Sequence, residues 1–243
     1  MPSYGGNKQR APRVNSAPTQ QQAQEEEQKV YNKIEAGDRN CYIYFDTEFT
    51  GLHKNAELIS IGLVDADGKT FYAEISDVDF ENSIKDSDKK WIKENILDKL
   101  TMPKFNCSGD HWELVGTKHD VGLQLNLWLA ERYKEHIIQF VADVSHFDFV
   151  LLIDLITNGG TAMEMPKYIS PCCYDLNQDI ATSLYRDDNM SDTNYVPVRV
   201  AFDVDRLMMV KNLEGFEADS NKHNALYDAL VVRAIHQYLW DME

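Results

Sequence analysis

The sequence predicts one α/β domain, a mixed sheet flanked by helices, with a polar tail in front of it. Three strand-like runs come first, Cys41 to Phe49, Glu57 to Asp65 and Lys69 to Ile75, and Asp67-Gly68 between the last two is a strong hairpin signal. Helix-period and strand-like segments then alternate to the end of the chain, the pattern of an α/β domain. The composition also changes near residue 38. Residues 1–38 are rich in Gln, Pro, Ser, Asn and charge and almost free of large aliphatic side chains. They read as a disordered tail, followed by a domain at 39–243.

Within the tail, Gln20 to Glu35 has helical propensity but no apolar stripe to anchor it. The basic start (Lys8, Arg10, Arg13) reads as a solvated spacer, with an arm that touches nucleic acid as the alternative. After the three strands a helix is expected from about Ser87 to Leu100, stopped by Pro103. Residues 104–117, with Trp112 near their centre, read as irregular. Val121, Leu125, Trp128 and Leu129 keep helical spacing. Ile137 to Val144 reads as a buried strand, and Phe147 to Asn158 as a nearly all-apolar helix closed by Gly159-Gly160. Residues 186–196 form a polar loop, and a last helix runs from about Asn224 to Trp240.

The totals narrow the function. At 243 residues and 43% hydrophobic content the chain can build a proper core. A formal net charge of −16 argues against tight non-specific binding to long duplexes, which needs many Lys and Arg on phosphates. It leaves room for an enzyme that grips one strand end through bound cations, because these invert the local potential. The four cysteines show no CxxC spacing, and Cys107 with His111 and His119 fits no standard zinc pattern, so a loop with incidental histidines is preferred. No apolar run has transmembrane length and the N-terminus lacks a secretory apolar core, so the expected location is cytoplasmic, with no membrane partner.

The chemistry starts at Asp46 and Glu48. Two apart on one strand, they point to the same face, roughly 7 Å apart along the backbone. Like charges held that close resist burial unless a cation sits between them. Two further acids lead buried stripes. Asp148 precedes Leu151, Leu152 and Leu155, and Asp228 precedes Val231, Val232 and Ile235, both at i+3, i+4 and i+7. Either acid alone is as well explained by the charge preference of a helix N-terminus. Together with Asp46 and Glu48, they make an oxygen-rich set suited to two Mg²⁺ ions and phosphoryl chemistry. His223 stands five residues before Asp228, so one regular helix cannot point both inward. Placed in a loop just before the helix, His223 hangs over the same site, where its near-neutral pKa suits a general base. An isolated surface histidine is the competing reading.

These residues, in this order, resemble the DEDDh 3′–5′ exonucleases, a group that includes RNase T, oligoribonuclease and the proofreading exonucleases. Asp46-Thr47-Glu48-Phe49-Thr50-Gly51-Leu52 matches the first motif, Phe147-Asp148 the second, and His223-Asn224-Ala225-Leu226-Tyr227-Asp228 the third. Glu57 to Val64 and Asp67-Gly68-Lys69 look closest to the small bacterial and phage exoribonuclease-like branch, and the resemblance covers roughly residues 41–240. It implies a ribonuclease H-like fold with a mixed five-stranded sheet, three antiparallel strands and then parallel ones. It also implies two ions, Mg²⁺ or Mn²⁺, on Asp46, Glu48, Asp148 and Asp228, with His223 as base. Leu52, Phe49 and the backbone at Thr47 would receive the terminal nucleotide. The implied substrates are single-stranded RNA or DNA 3′ ends, RNA favoured, and some relatives pair as homodimers. The chain departs from the pattern once: Asp143-Val144 stands where relatives often carry His-Asn, which makes Asp143 a rival ligand. The alternative function is a non-catalytic RNA- or nucleotide-binding module on the same fold.

Overall fold

Residues 41–132, 136–187, 201–213, 216 and 221–241 are described by a computed structural model. The expected tail at 1–38 and residues 188–196 of the expected polar loop lie outside them. Strands β1 (Cys41–Phe49), β2 (Leu58–Asp65) and β3 (Thr70–Ile75) form the antiparallel trio. The expected hairpin joins β2 to β3: Gly68 takes φ +91°, open to a residue without a Cβ, and the Asp65 carboxylate accepts from the Lys69 N–H at 2.8 Å. Short helices α1 (Phe80–Ser83) and α2 (Lys89–Asn95) follow, then a 3₁₀ turn (Leu97–Lys99), β4 (His111–Gly116) and α3 (Lys118–Arg132). Next come β5 (Ile138–Ala142), α4 (His146–Ile156), β6 (Tyr174–Asp175), α5 (Leu176–Asp187), α6 (Arg206–Val210) and α7 (Ala225–Asp241).

The sheet runs β4-β3-β2-β1-β5-β6, antiparallel within the trio and parallel at β3/β4, β1/β5 and β5/β6. This is the mixed α/β architecture expected of a ribonuclease H-like domain, with six strands where five were expected. β4 falls inside the stretch read as irregular. Only Trp112 and Leu114 alternate inward there, flanked by polar His111 and Glu113, and the strand lies at the sheet edge beside β3. Two inward residues are too short a pattern to announce a strand. The helix expected over Ser87 to Leu100 is also shorter, breaking at Ile96 into the 3₁₀ turn while Ile92 and Ile96 bury against Ile59 and Ile84.

The core has a layer on each face of the sheet. Ile43 and Phe45 of β1 join Ile61 and Leu63 of β2 in packing against Val121, Leu125, Trp128 and Leu129 of α3 and Leu151, Leu152 and Leu155 of α4. On the other face, Tyr44 and Val64 meet Val231, Val232 and Ile235 of α7 together with α5 and α6. Covered on both sides, β2 is buried along its whole length, which explains its continuous apolar run. Among the described residues no helix is long and apolar enough to cross a membrane.

One residue lets α7 come close. A Cβ built on Gly62 would lie 2.3 Å from the Leu226 backbone, nearer than real atoms approach, and Gly62 pairs directly with Asp46 across β1/β2. Gly62→Ala must therefore push the first turn of α7 off the sheet. The expected cost is about 1–3 kcal/mol, read as a fall in denaturant midpoint at unchanged slope. Wild-type stability in that variant would show that α7 does not depend on the close approach.

Candidate active site

β1 runs on past its pairing with β5. That pairing ends at Tyr44↔Val141, and the ladder to β2 carries a bulge between Glu48 and Phe49. The overhanging end of β1 directs Asp46 and Glu48 towards α7 and Thr47 towards α4. The Thr47 N–H and hydroxyl both donate to Asp148 Oδ1, at 3.1 and 2.5 Å. This fixes the carboxylate in the first turn of α4, where the helix dipole also favours a negative charge. Asp228 sits in the first turn of α7, and its Oδ2 accepts from the His223 backbone N–H at 2.9 Å.

His223 lies in the turn before α7 with φ +67°, a left-handed conformation. Asn224 then starts the helix, its side-chain oxygen accepting from the Tyr227 N–H at 3.1 Å. The expected placement of the histidine outside the helix therefore holds. Its Nδ1 faces Glu48 Oε1 at 4.0 Å. Asp46, Glu48, Asp148, His223 and Asp228 line one cleft of about 350 Å³, with Thr47, Phe49 and Asp143 beside them. Within it Glu48, His223 and Asp228 form the tightest group, each offering a ligand atom within 4.8 Å of the others. Asp46 and Asp148 stand outside that triad. Asp143, the rival ligand, is tied to Arg206 by two hydrogen bonds, 2.7 Å from Nε and 2.9 Å from Nη2.

Leu52 lies apart from the acids. It is 71% exposed and lines a second, more apolar pocket of about 410 Å³, which shares Glu48 and Phe49 with the cleft. Trp91 of α2 forms the opposite wall and sets its ring edge-on to His223, centroids 5.2 Å apart. Sequence reasoning missed Trp91. The available signal was a tryptophan one residue off the Ile92–Ile96 stripe, which leaves it half exposed. Phe49 stacks on Phe147 at 5.9 Å, joining the first two motifs through aromatic faces.

The electrostatics are those of too many acids in one place. Burial, then the charges of Asp148, Asp228 and Glu48, push Asp46 well above the usual carboxylate range. Burial and the same kind of neighbours raise Glu48. Burial lifts Asp148 to about 6 against the pull of the Thr47 hydrogen bonds, and lifts Asp228 to about 7 against the His223 N–H. His223 is held below its ordinary value by burial and by Lys222 and Lys99, which favours neutral imidazole. Four partly desolvated carboxylate donors with one neutral imidazole suit hard divalent cations.

A ribonuclease H-like sheet with inward acids at the end of its central strand marks the superfamily of DnaQ-like exonucleases. Within it, the chain belongs to the 3′-5′ exoribonuclease Rv2179c-like domain family, whose model matches residues 41–240. Similar solved structures are E. coli exonuclease I with single-stranded DNA in a zinc-bound form, and the same enzyme with a dA16 oligonucleotide. The first is 13% identical with TM-score 0.48, covering 84% of this chain and 42% of that one; the second is 12% identical with TM-score 0.45, covering 84% and 43%. The Neurospora crassa Pan2 catalytic unit, protease and nuclease domain, is 12% identical with TM-score 0.39, covering 83% and 27%. The chain spans less than half the length of each. No curated protein matches the sequence.

The raised acids make the ion-free protein pH-sensitive. Asp148 and Asp228 bind protons more tightly folded, at about 6 and about 7, than at their ordinary value of 3.8. That contribution to stability is complete below about pH 4 and is lost as pH rises through 6 and 7. Thermal unfolding in chelator should therefore give a lower Tm at pH 7.5 than at pH 5. Millimolar Mg²⁺ should recover the loss at pH 7.5, and Asp228→Asn should flatten the pH slope. A chelated Tm that rises over this range would contradict the burial that raises these two carboxyls.

Proposed function

We propose that the protein is a metal-dependent 3′–5′ exonuclease that removes nucleoside 5′-monophosphates from single-stranded 3′ ends, with RNA as the favoured substrate. The observation that carries this reading is the convergence of Asp46, Glu48, Asp148, Asp228 and His223 on one cleft, in a chain of an exoribonuclease domain family. Asp46, Glu48, Asp148 and Asp228 would hold two divalent ions, Mg²⁺ or Mn²⁺. When bound, the ions supply Lewis-acid activation of water and charge neutralisation at the phosphate.

The protein groups do the rest. Thr47 fixes the Asp148 carboxylate, and the His223 backbone N–H fixes that of Asp228. His223, neutral in its half-buried turn, accepts the proton of the attacking water at Nε2, because Nδ1 is turned to Glu48. Glu48 then stabilises the imidazolium. The water oxygen bonds to phosphorus, the bond to the leaving 3′ oxygen breaks, and that oxygen takes a proton from solvent, so the shortened strand keeps a free 3′ hydroxyl. The terminal base enters the apolar pocket between Leu52, Phe49 and Trp91, whose faces accept any base without reading sequence.

Two tests follow. On matched 3′-labelled RNA and DNA oligomers with Mg²⁺ or Mn²⁺, wild type should release mononucleotides, faster from RNA, and EDTA should stop it. Asp46→Asn should abolish turnover, and His223→Ala should lower kcat by about 10²–10⁴. Intact oligomers with every ion, or binding that persists in EDTA without product, would favour a non-catalytic module. Separately, Leu52→Ala and Trp91→Ala should raise KM more than they lower kcat; a change confined to kcat would remove both from the base pocket.

A further inference from the structure

Asp143 follows β5 directly, lines the acid cleft and adds to the field on both Asp46 and Asp148. Left free it would add one more carboxylate beside Asp46, Glu48, Asp148 and Asp228. Instead it meets Arg206, whose five N–H groups are all committed. Nε and Nη2 grip Asp143 at 2.7 and 2.9 Å, and Nη2 also donates to Asn177 Oδ1 at 2.7 Å. Nη1 donates to the carbonyls of Ala201 and Val204 at 2.6 and 2.9 Å. One guanidinium thus joins the end of β5, the start of α5 and the turn leading into α6, and α6 is capped by Asp205 through the Leu207 N–H at 3.0 Å. The joined segment contributes Phe202, Val204, Asp205 and Leu207 to the cleft wall, with Phe202 47% exposed.

With no donor left over, Arg206 is badly placed to take a phosphate by its fork, the usual use of an arginine beside a phosphoryl site. We infer that Arg206 is the positioning residue of the cleft: it keeps Asp143 out of the ion-binding set as an internal counter-charge, and it holds the Phe202–Leu207 wall against the acids. This rests on the divalent-ion reading proposed above. The extra charge of Asp143 thus comes with its own partner 63 residues along the chain.

A charge cycle on the full chain tests it, read first by calorimetric titration with Mn²⁺ alone. Asp143→Asn leaves the Arg206 charge uncompensated and should weaken Mn²⁺ binding at least about threefold. Arg206→Met frees the Asp143 charge and should tighten it by a similar factor. The double variant should return to within about twofold of wild type. A double variant as weak as Asp143→Asn makes Asp143 a ligand and overturns the proposal, and so do single variants that lose stability without moving the titration. Arg206→Lys keeps the charge but not the fork, so its Mn²⁺ titration should match wild type while KM for single-stranded RNA rises at least about threefold at little-changed kcat. Should the Met variants fail to fold, Arg206→Lys decides, and unchanged KM or an altered titration counts against the pair. Absence of Mn²⁺ binding by wild type would instead remove the divalent-ion reading itself, a result distinct from any failure of the cycle.

Discussion

The backbone of α7 rests on β2 at Gly62, and the candidate site depends on that contact. The glycine pairs with Asp46, so the helix that carries Asp228 starts directly over the strand that carries the first acid. Any side chain at position 62 would separate the two. Just before this contact the chain enters α7 by a turn. It turns through a left-handed residue, His223, whose backbone N–H satisfies Asp228 and whose ring faces Glu48. Packing therefore sets the spacing of the acids.

That packing works against electrostatics. Asp46, Glu48, Asp148 and Asp228 are all raised by burial, and like charges add to the burial at Asp46 and Glu48. Repulsive groups persist when the surrounding structure determines them more strongly than they disturb it. Here the acid-bearing end of β1 is held by β2 and its first half by β5 as well, and α4 and α7 are anchored by the apolar residues that follow their acids: Leu151, Leu152 and Leu155 on one, Val231, Val232 and Ile235 on the other. Each helix thus supplies the hydrophobic contact that holds its own carboxylate in place.

This coupling explains what was legible in the sequence. Acid and stripe are neighbours along the chain, so the 3.6-residue period announces that Asp148 and Asp228 point inward, and the two-residue period does the same for Asp46 and Glu48. The placement of His223 outside the helix followed from the same arithmetic. Other features depend on pairs that no local period connects. Gly62 is informative only once α7 is known to cross it. Arg206 meets Asp143 across 63 residues, and no pattern around either residue announces the other. β4 is carried by two inward side chains on an edge strand, and Trp91 reaches the histidine only because α2 lies beside the end of β1.

The pairing of Asp143 with Arg206 also bears on how a chain of net charge −16 could accept a polyanion. Electrostatic attraction between Lys or Arg and phosphates strengthens binding along a strand, but an excess of acids opposes it. On the proposed reading, attraction is concentrated where cations replace basic side chains. In that arrangement every uncancelled acid in the cleft matters twice, once as a candidate cation ligand and once as a charge that repels the phosphate. An additional aspartate at the end of β5 would disturb both balances, and an arginine with all its donors engaged cancels it without offering a competing phosphate site. The aromatic and aliphatic surface at Phe49, Leu52 and Trp91 would then give the strand end a contact indifferent to charge. On that reading, a cation-filled cleft beside a mostly apolar base pocket would let an acidic protein hold one nucleotide without a long basic track.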